Sequence, residues 1–169
     1  MPRVLTAATA ILALAVAGAG CSNYRLGTGS RPAFASLRVE PVVNRTSLPQ
    51  AEALVSARLR EAFIRDGRVP LGSAESAALL AVTLSDFRRE VAAVREGDTG
   101  LARKFNLTLT ATANLRDAAT GRLIWDQRTF TVTREAFTDG GQLQSEYQAL
   151  PLLAEALAQR VSQAVLDSW

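Results

Sequence analysis

From Phe105 to Arg116 the chain alternates without a break. Phe105, Leu107, Leu109, Ala111, Ala113 and Leu115 share one parity, and Asn106, Thr108, Thr110, Thr112, Asn114 and Arg116 share the other. Side chains of a strand point to opposite faces in turn, so this stretch reads as a strand with one buried and one polar face. That is the pattern of an antiparallel sheet packed on one side and wet on the other. The rest of the chain has to supply neighbouring strands and something apolar to cover the buried face.

Three further stretches read as strands. In Ser36 to Val43, Leu37, Val39 and Val43 point one way and Arg38 and Glu40 the other. Pro41 cannot donate to a ladder, which places this strand at an edge or ends it there. In Ala78 to Val94, Leu80, Val82 and Leu84 share a face before the phase shifts to Phe87 and Val91, which predicts a bulge near Ser85-Asp86. Arg95 to Lys104 reads as a loop. Asp117 to Gly121 reads as a hairpin loop, with Gly121 free to take positive φ. Arg122 to Phe137 is the fourth strand, with Ile124, Phe130 and Val132 in phase and Trp125 opposite. A short strand is also expected at Val69 to Leu71.

Two stretches have helical period. The first follows a capping-box pattern, Ser47 with Gln50 three residues on, and runs to about Asp66. Ala51, Leu54, Val55, Leu59, Ala62 and Phe63 form its apolar stripe, and Gly67 is placed to close it. The second is expected over about Leu150 to Asp167, with the stripe Leu150, Leu153, Ala154, Leu157, Ala158, Val161, Ala164 and Val165. Pro151 then sits in its first turn; a start nearer Gln142 would make Pro151 kink it. The order is β-α-β-β-β-α. The fold class that follows is α+β, a two-layer sandwich of a four-stranded sheet with two helices on one face.

The N-terminus is of another kind. Arg3 precedes an apolar run, Ala7 to Gly20, that ends in small residues against Cys21, the only cysteine. A basic start, a short apolar core and a small-residue exit make a secretory signal. The run is short of the roughly 20 residues that span a bilayer. An exit abutting a cysteine looks like a bacterial lipobox, whose cysteine is acylated. Three parts follow: a signal peptide over 1–20, a lipidated tether over 21–35 and one domain over 36–169. The alternatives are an ordinary cleaved signal and an uncleaved anchor. Several acyl chains hold a protein to a membrane where one does not.

Composition removes several function classes. The chain has no histidine, and its lone cysteine is the lipidation candidate, so a nucleophile beside a base is not in view. Metal sites usually draw on His or Cys clusters, and none is present. Asp86, Asp98, Asp117, Asp126 and Asp139 are scattered and read as turn formers. The chain from Cys21 on has 19 − 1 = 18 basic and 16 acidic side chains, the signal segment holding Arg3 and no acid. That mild excess, with no basic stripe, gives no case for nucleic acid. The reading is of a protein that is not an enzyme, with no cofactor and no metal.

Three stretches carry a family resemblance: Cys21-Ser22-Asn23-Tyr24-Arg25-Leu26-Gly27, Leu37-Arg38-Val39-Glu40-Pro41-Val42-Val43-Asn44-Arg45-Thr46, and Phe63-Ile64-Arg65-Asp66-Gly67-Arg68. With Leu115-Arg116-Asp117-Ala118-Ala119-Thr120-Gly121-Arg122-Leu123-Ile124-Trp125 and the alanine-rich last helix, the chain resembles the LPS-assembly lipoprotein family LptE. The resemblance implies a four-stranded, two-helix domain held to the inner leaflet of the outer membrane by N-terminal acyl chains, on the periplasmic side. It implies a plug in the lumen of an LptD-type β-barrel protein, a part in assembling that barrel and delivering lipopolysaccharide, and binding of lipopolysaccharide itself. In the family a basic residue at the end of the second strand is implicated, and Arg95 stands at that place. Arg103 and Lys104 join it on electrostatic grounds, since guanidinium and ammonium groups suit phosphate. The family's second basic position, between the fourth strand and last helix, has no counterpart in Thr138 to Ala149. The alternative is another envelope lipoprotein that binds peptidoglycan or a transporter.

Overall fold

The computed structural model describes residues 33–94, 102–137 and 142–167. In chain order these form β1 (Leu37–Val39), β2 (Val43–Asn44), α1 (Ala51–Asp66), β3 (Ala78–Val94), β4 (Ala102–Asp117), β5 (Leu123–Phe137) and α2 (Gln142–Leu166). The α+β class holds, and the sheet has five strands rather than four. The order is β1-β3-β4-β5, with β2 also on β3. β1 and β2 lie parallel to β3, while β3 with β4 and β4 with β5 pair antiparallel.

Pro41 explains the additional strand. Val39 pairs with Leu80 and Val43 with Thr83, so four steps on the edge match three on β3. The surplus residue is taken up around Pro41, which has no amide to give the ladder. On either side Glu40 donates its amide to Leu80 O and Arg45 donates to Leu84 O, both at 2.9 Å. Val42 is turned inward and gives its amide to Ser56 Oγ of α1 at 3.1 Å. The run at Val69 to Leu71 is reduced to a single bridge from Leu71 to Leu37.

β3 and β4 pair from Ala78 opposite Asp117 to Val94 opposite Ala102. The bulge falls where the phase shift predicts it: Leu84 faces Ala111 and Asp86 faces Thr110, leaving Ser85 over. A second bulge corrects the reading of β5. Leu115 faces Trp125 and Ala113 faces Arg128, so β5 has one residue too many there. Gln127 takes φ 45 and donates its amide to Asn114 Oδ1 at 2.6 Å. The phase flips across it, and Trp125 joins Phe130, Val132 and Ala136 on the buried face.

The start of α1 also departs from expectation. Gln50 precedes the helix in the left-handed region (φ 60), with no side-chain cap, so the Ser47/Gln50 capping box does not form. Asn44 ties the loop instead. Its Nδ2 donates to Leu48 O at 2.7 Å and Glu52 Oε2 at 2.9 Å, and its Oδ1 accepts from the amide and hydroxyl of Thr46. The other end is as expected: Gly67, φ 73, gives its amide to Phe63 O. α2 starts two turns earlier than its apolar stripe, at Gln142, and Pro151 lies inside it rather than in its first turn. The sequence from 142 to 148 is mostly polar, so it adds helix without extending the stripe. Pro151 has no amide for the carbonyl one turn back.

One core results. Leu80, Val82, Leu84, Leu107, Leu109 and Leu115 on the sheet meet Val55, Leu59 and Phe63 of α1 and Leu153, Leu157 and Val161 of α2, each no more than 1% exposed. The layers differ in length. The 17 residues of β3 span about 55 Å at the strand rise, whereas the 25 of α2 span about 37 Å and the 16 of α1 about 24 Å. Helices cannot roof the whole sheet. At the Val94 end the packed face comes into the open, where Val91 is 58% exposed although it pairs with Phe105.

Candidate functional site

Three features of the surface bear on function. The first is the face of the sheet away from the helices. The alternation of β4 puts Thr108, Thr110 and Thr112 there, and the register sets Thr133, Thr131 and Thr129 of β5 beside them. Hydroxyls of Thr108 and Thr133 lie 3.0 Å apart, and those of Thr110 and Thr131 3.3 Å. Arg88 and Asp86 of β3 complete the rows, joined to each other at 2.7 Å. This is a broad hydroxyl and charge surface suited to polar contact.

The second feature is the Val94 end of the β3–β4 hairpin. Lys104 opens the outer face there. Its Nζ is 2.6 Å from the Glu135 carboxylate and 5.8 Å from the centre of the Phe137 ring. Both charged groups are partly exposed, and such surface pairs contribute about 0–1 kcal/mol, so an arriving phosphate can displace Glu135 at little cost. Arg103 has its backbone in β4, but its side chain lies outside the described residues, as do Arg95 and Cys21. Of the expected ligand-binding group, Lys104 alone has a described setting.

The third feature was not anticipated from the sequence. On the helix side of the same end, a cleft of about 220 Å³ opens between the loop before α1, β3 and the start of α2. Leu48, Phe87, Tyr147 and Leu150 give it apolar walls. Arg89 Nη2 meets Glu146 Oε1 at 2.5 Å across it. A signal was present: after the bulge at Ser85, Arg89 has the same phase as Phe87 and Val91, so a charge was due on the packed face. An apolar hollow with one ion pair can hold a ring or chain. Among the described residues, no three His, Cys, Asp or Glu side chains are grouped to hold a metal.

Shifted carboxylates lie elsewhere. Asp66 is held below the usual range by its hydrogen bond to Arg68, 2.8 Å away. Asp117 is lowered by the amide and hydroxyl of Thr120 in the β4–β5 turn. Both serve turns.

Comparison with known proteins gives these surfaces a setting. Solved structures share the fold at low identity. A minor lipoprotein from Acinetobacter baumannii is 19% identical with a TM-score of 0.56, over 78% of this chain and 92% of that one. A hypothetical protein from Chlamydia trachomatis is 10% identical with a TM-score of 0.57, over 80% and 98%. PelC from Paraburkholderia phytofirmans is 18% identical with a TM-score of 0.53, over 81% and 94%. At such identities the likeness is one of fold. No curated protein matches the sequence. The lipopolysaccharide-assembly family LptE matches residues 34–165, which takes in all seven elements but the last residue of α2. The chain belongs to the LptE lipopolysaccharide-assembly family.

Proposed function

We propose that this protein is an outer-membrane lipoprotein, acylated at Cys21, that sits in the lumen of an LptD-type β-barrel and helps deliver lipopolysaccharide to the cell surface. The family match over residues 34–165 carries the reading. The hydroxyl face of the sheet supports it, because large outer-membrane barrels have polar interiors. In this role the protein binds and scaffolds and does not catalyse. Residues 1–20 are the signal peptide, and residues 21–35 join the acylated cysteine to the domain on the periplasmic side. Arg95, Arg103 and Lys104 contact lipid A phosphates at the hairpin end.

The test is co-purification from Gram-negative membranes in mild detergent. The tagged chain is expected to bring down a large barrel that resists unfolding until heated, with lipopolysaccharide, and its Cys21→Ser variant to leave the membrane fraction. Charge reversal of Arg95, Arg103 and Lys104 together is expected to weaken lipopolysaccharide binding about tenfold or more at fixed salt. Recovery of the chain without a barrel would defeat the plug reading, and unchanged binding by the triple variant would move the ligand site.

A further inference from the structure

Among the described residues the sheet ends at β5, whose far side has no strand beside it. Three contacts fix which residues turn their backbone groups outward. Arg160 of α2 donates through Nη1 to Thr131 O, and Ser145 donates through Oγ to Phe137 O. Ser85 Oγ of β3 donates to Thr110 O at 3.2 Å, so Thr110 turns its backbone groups away from its partner Thr131. Thr131 and Phe137 therefore face the open edge. Pairing is regular between them, so Thr133 and Glu135 face it as well. α2 caps the edge at two points and leaves the amides and carbonyls of Thr133 and Glu135 without a partner among the described residues. An exposed stretch of edge is a template for another strand, and proteins usually blunt it.

The surface beside this window has a definite charge. A cleft of about 200 Å³ runs between β5 and α2, lined by Arg134, Ala156, Gln159, Arg160 and Gln163 among others, with no carboxylate. Arg134 shares the helix-facing side of the sheet with its partner Leu107. Neither Arg134 nor Arg160 has an ion pair among the described residues. A second copy of this chain added edge to edge would bring four arginines together, and like charges placed opposite each other destabilise a pairing.

We infer that the open edge of β5 around Thr133 and Glu135 receives an extended, acid-bearing segment of another polypeptide, which pairs through its backbone and sets carboxylates against Arg134 and Arg160. Backbone bonds supply affinity in this mode, and the side chains on one face supply selectivity. The inference stands apart from the lipopolysaccharide reading and uses none of Arg95, Arg103 or Lys104.

The probe is an end-blocked peptide of alternating valine and glutamate, titrated into the full chain in detergent micelles and followed by amide resonances. Saturable binding that shifts Thr133 and Glu135 is expected. Replacing glutamate by lysine, or methylating the central peptide amides, is expected to weaken it about tenfold or more. On the protein side, Thr133→Pro removes an outward amide and leaves the ladder to β4, so it should lose the peptide, while Thr133→Val should keep it. The methylated peptide answers the same question if the proline variant fails to fold. Equal binding of the methylated peptide would overturn backbone pairing. Equal binding of the lysine peptide, or full displacement by inorganic sulfate, would overturn acidic-strand recognition, as would shifts confined to another surface or no saturable binding.

Discussion

Leu109→Ala and Thr110→Ala test the two-faced strand at adjacent residues. Leu109 is fully buried in β4, flanked by Phe87 and Val132, while Thr110 lies on the outer face. Leu109→Ala deletes three carbons, roughly 2.4 kcal/mol at about 0.8 kcal/mol per methylene. The cavity adds to this, since neighbours on both flanking strands are held by pairing and cannot fully close in. A loss of about 3 to 4 kcal/mol is expected, within the range of buried Leu→Ala changes. Thr110→Ala gives up one solvent-exposed hydroxyl contact of 3.3 Å and some strand preference, worth less than about 1 kcal/mol. Urea unfolding followed by far-UV circular dichroism measures both. The gap should be about 2 to 4 kcal/mol; losses equal within about 0.5 kcal/mol would refute the assignment of faces.

Asn44→Ala removes the donor and acceptor that tie the loop to α1, and is expected to cost about 2 kcal/mol in the same assay, with Ser47→Ala close to neutral. Gly121→Ala meets no atom within 4 Å but inherits φ 69, so about 1 kcal/mol should be lost to backbone conformation alone. Asp66 and Asp117 have depressed folded values, so their contribution is present above the ordinary carboxylate range and lost as pH falls through the folded values. Stability should therefore decline below about pH 4, and the Asp66→Asn, Asp117→Asn double variant should decline less steeply. Equal slopes for the two proteins would contradict this.

Strand β4 was legible because one residue in two is apolar for the whole of its packed length, and no competing pattern fits. The β3 bulge was legible for the same reason, since Leu84 and Phe87 break an otherwise regular alternation. Trp125 was misplaced because the bulge at Gln127 lies among polar residues, where a lost step leaves no apolar mark. Ser47 and Gln50 matched a capping box, but Asn44, six residues before Gln50, made the bonds; sequence spacing does not show which of several polar side chains reaches the turn. The start of α2 was hidden because its first two turns are mostly polar and do not continue the apolar stripe. The family was legible from short motifs spread along the chain. The uncapped edge of β5 was not, because it depends on which strand ends the sheet.

The unequal rises of strand and helix leave the far end of the β3–β4 hairpin unburdened by the core. Beyond Leu107, among the described residues, no fully buried side chain comes from this hairpin. Residues could be added to or removed from β3 and β4 in matched pairs, two on each strand, without turning a core side chain to the wrong face. Each such step lengthens the strand pair by about 7 Å. How far this arm projects is thus a dimension that evolution or an engineer can set independently of the packing that keeps the protein folded.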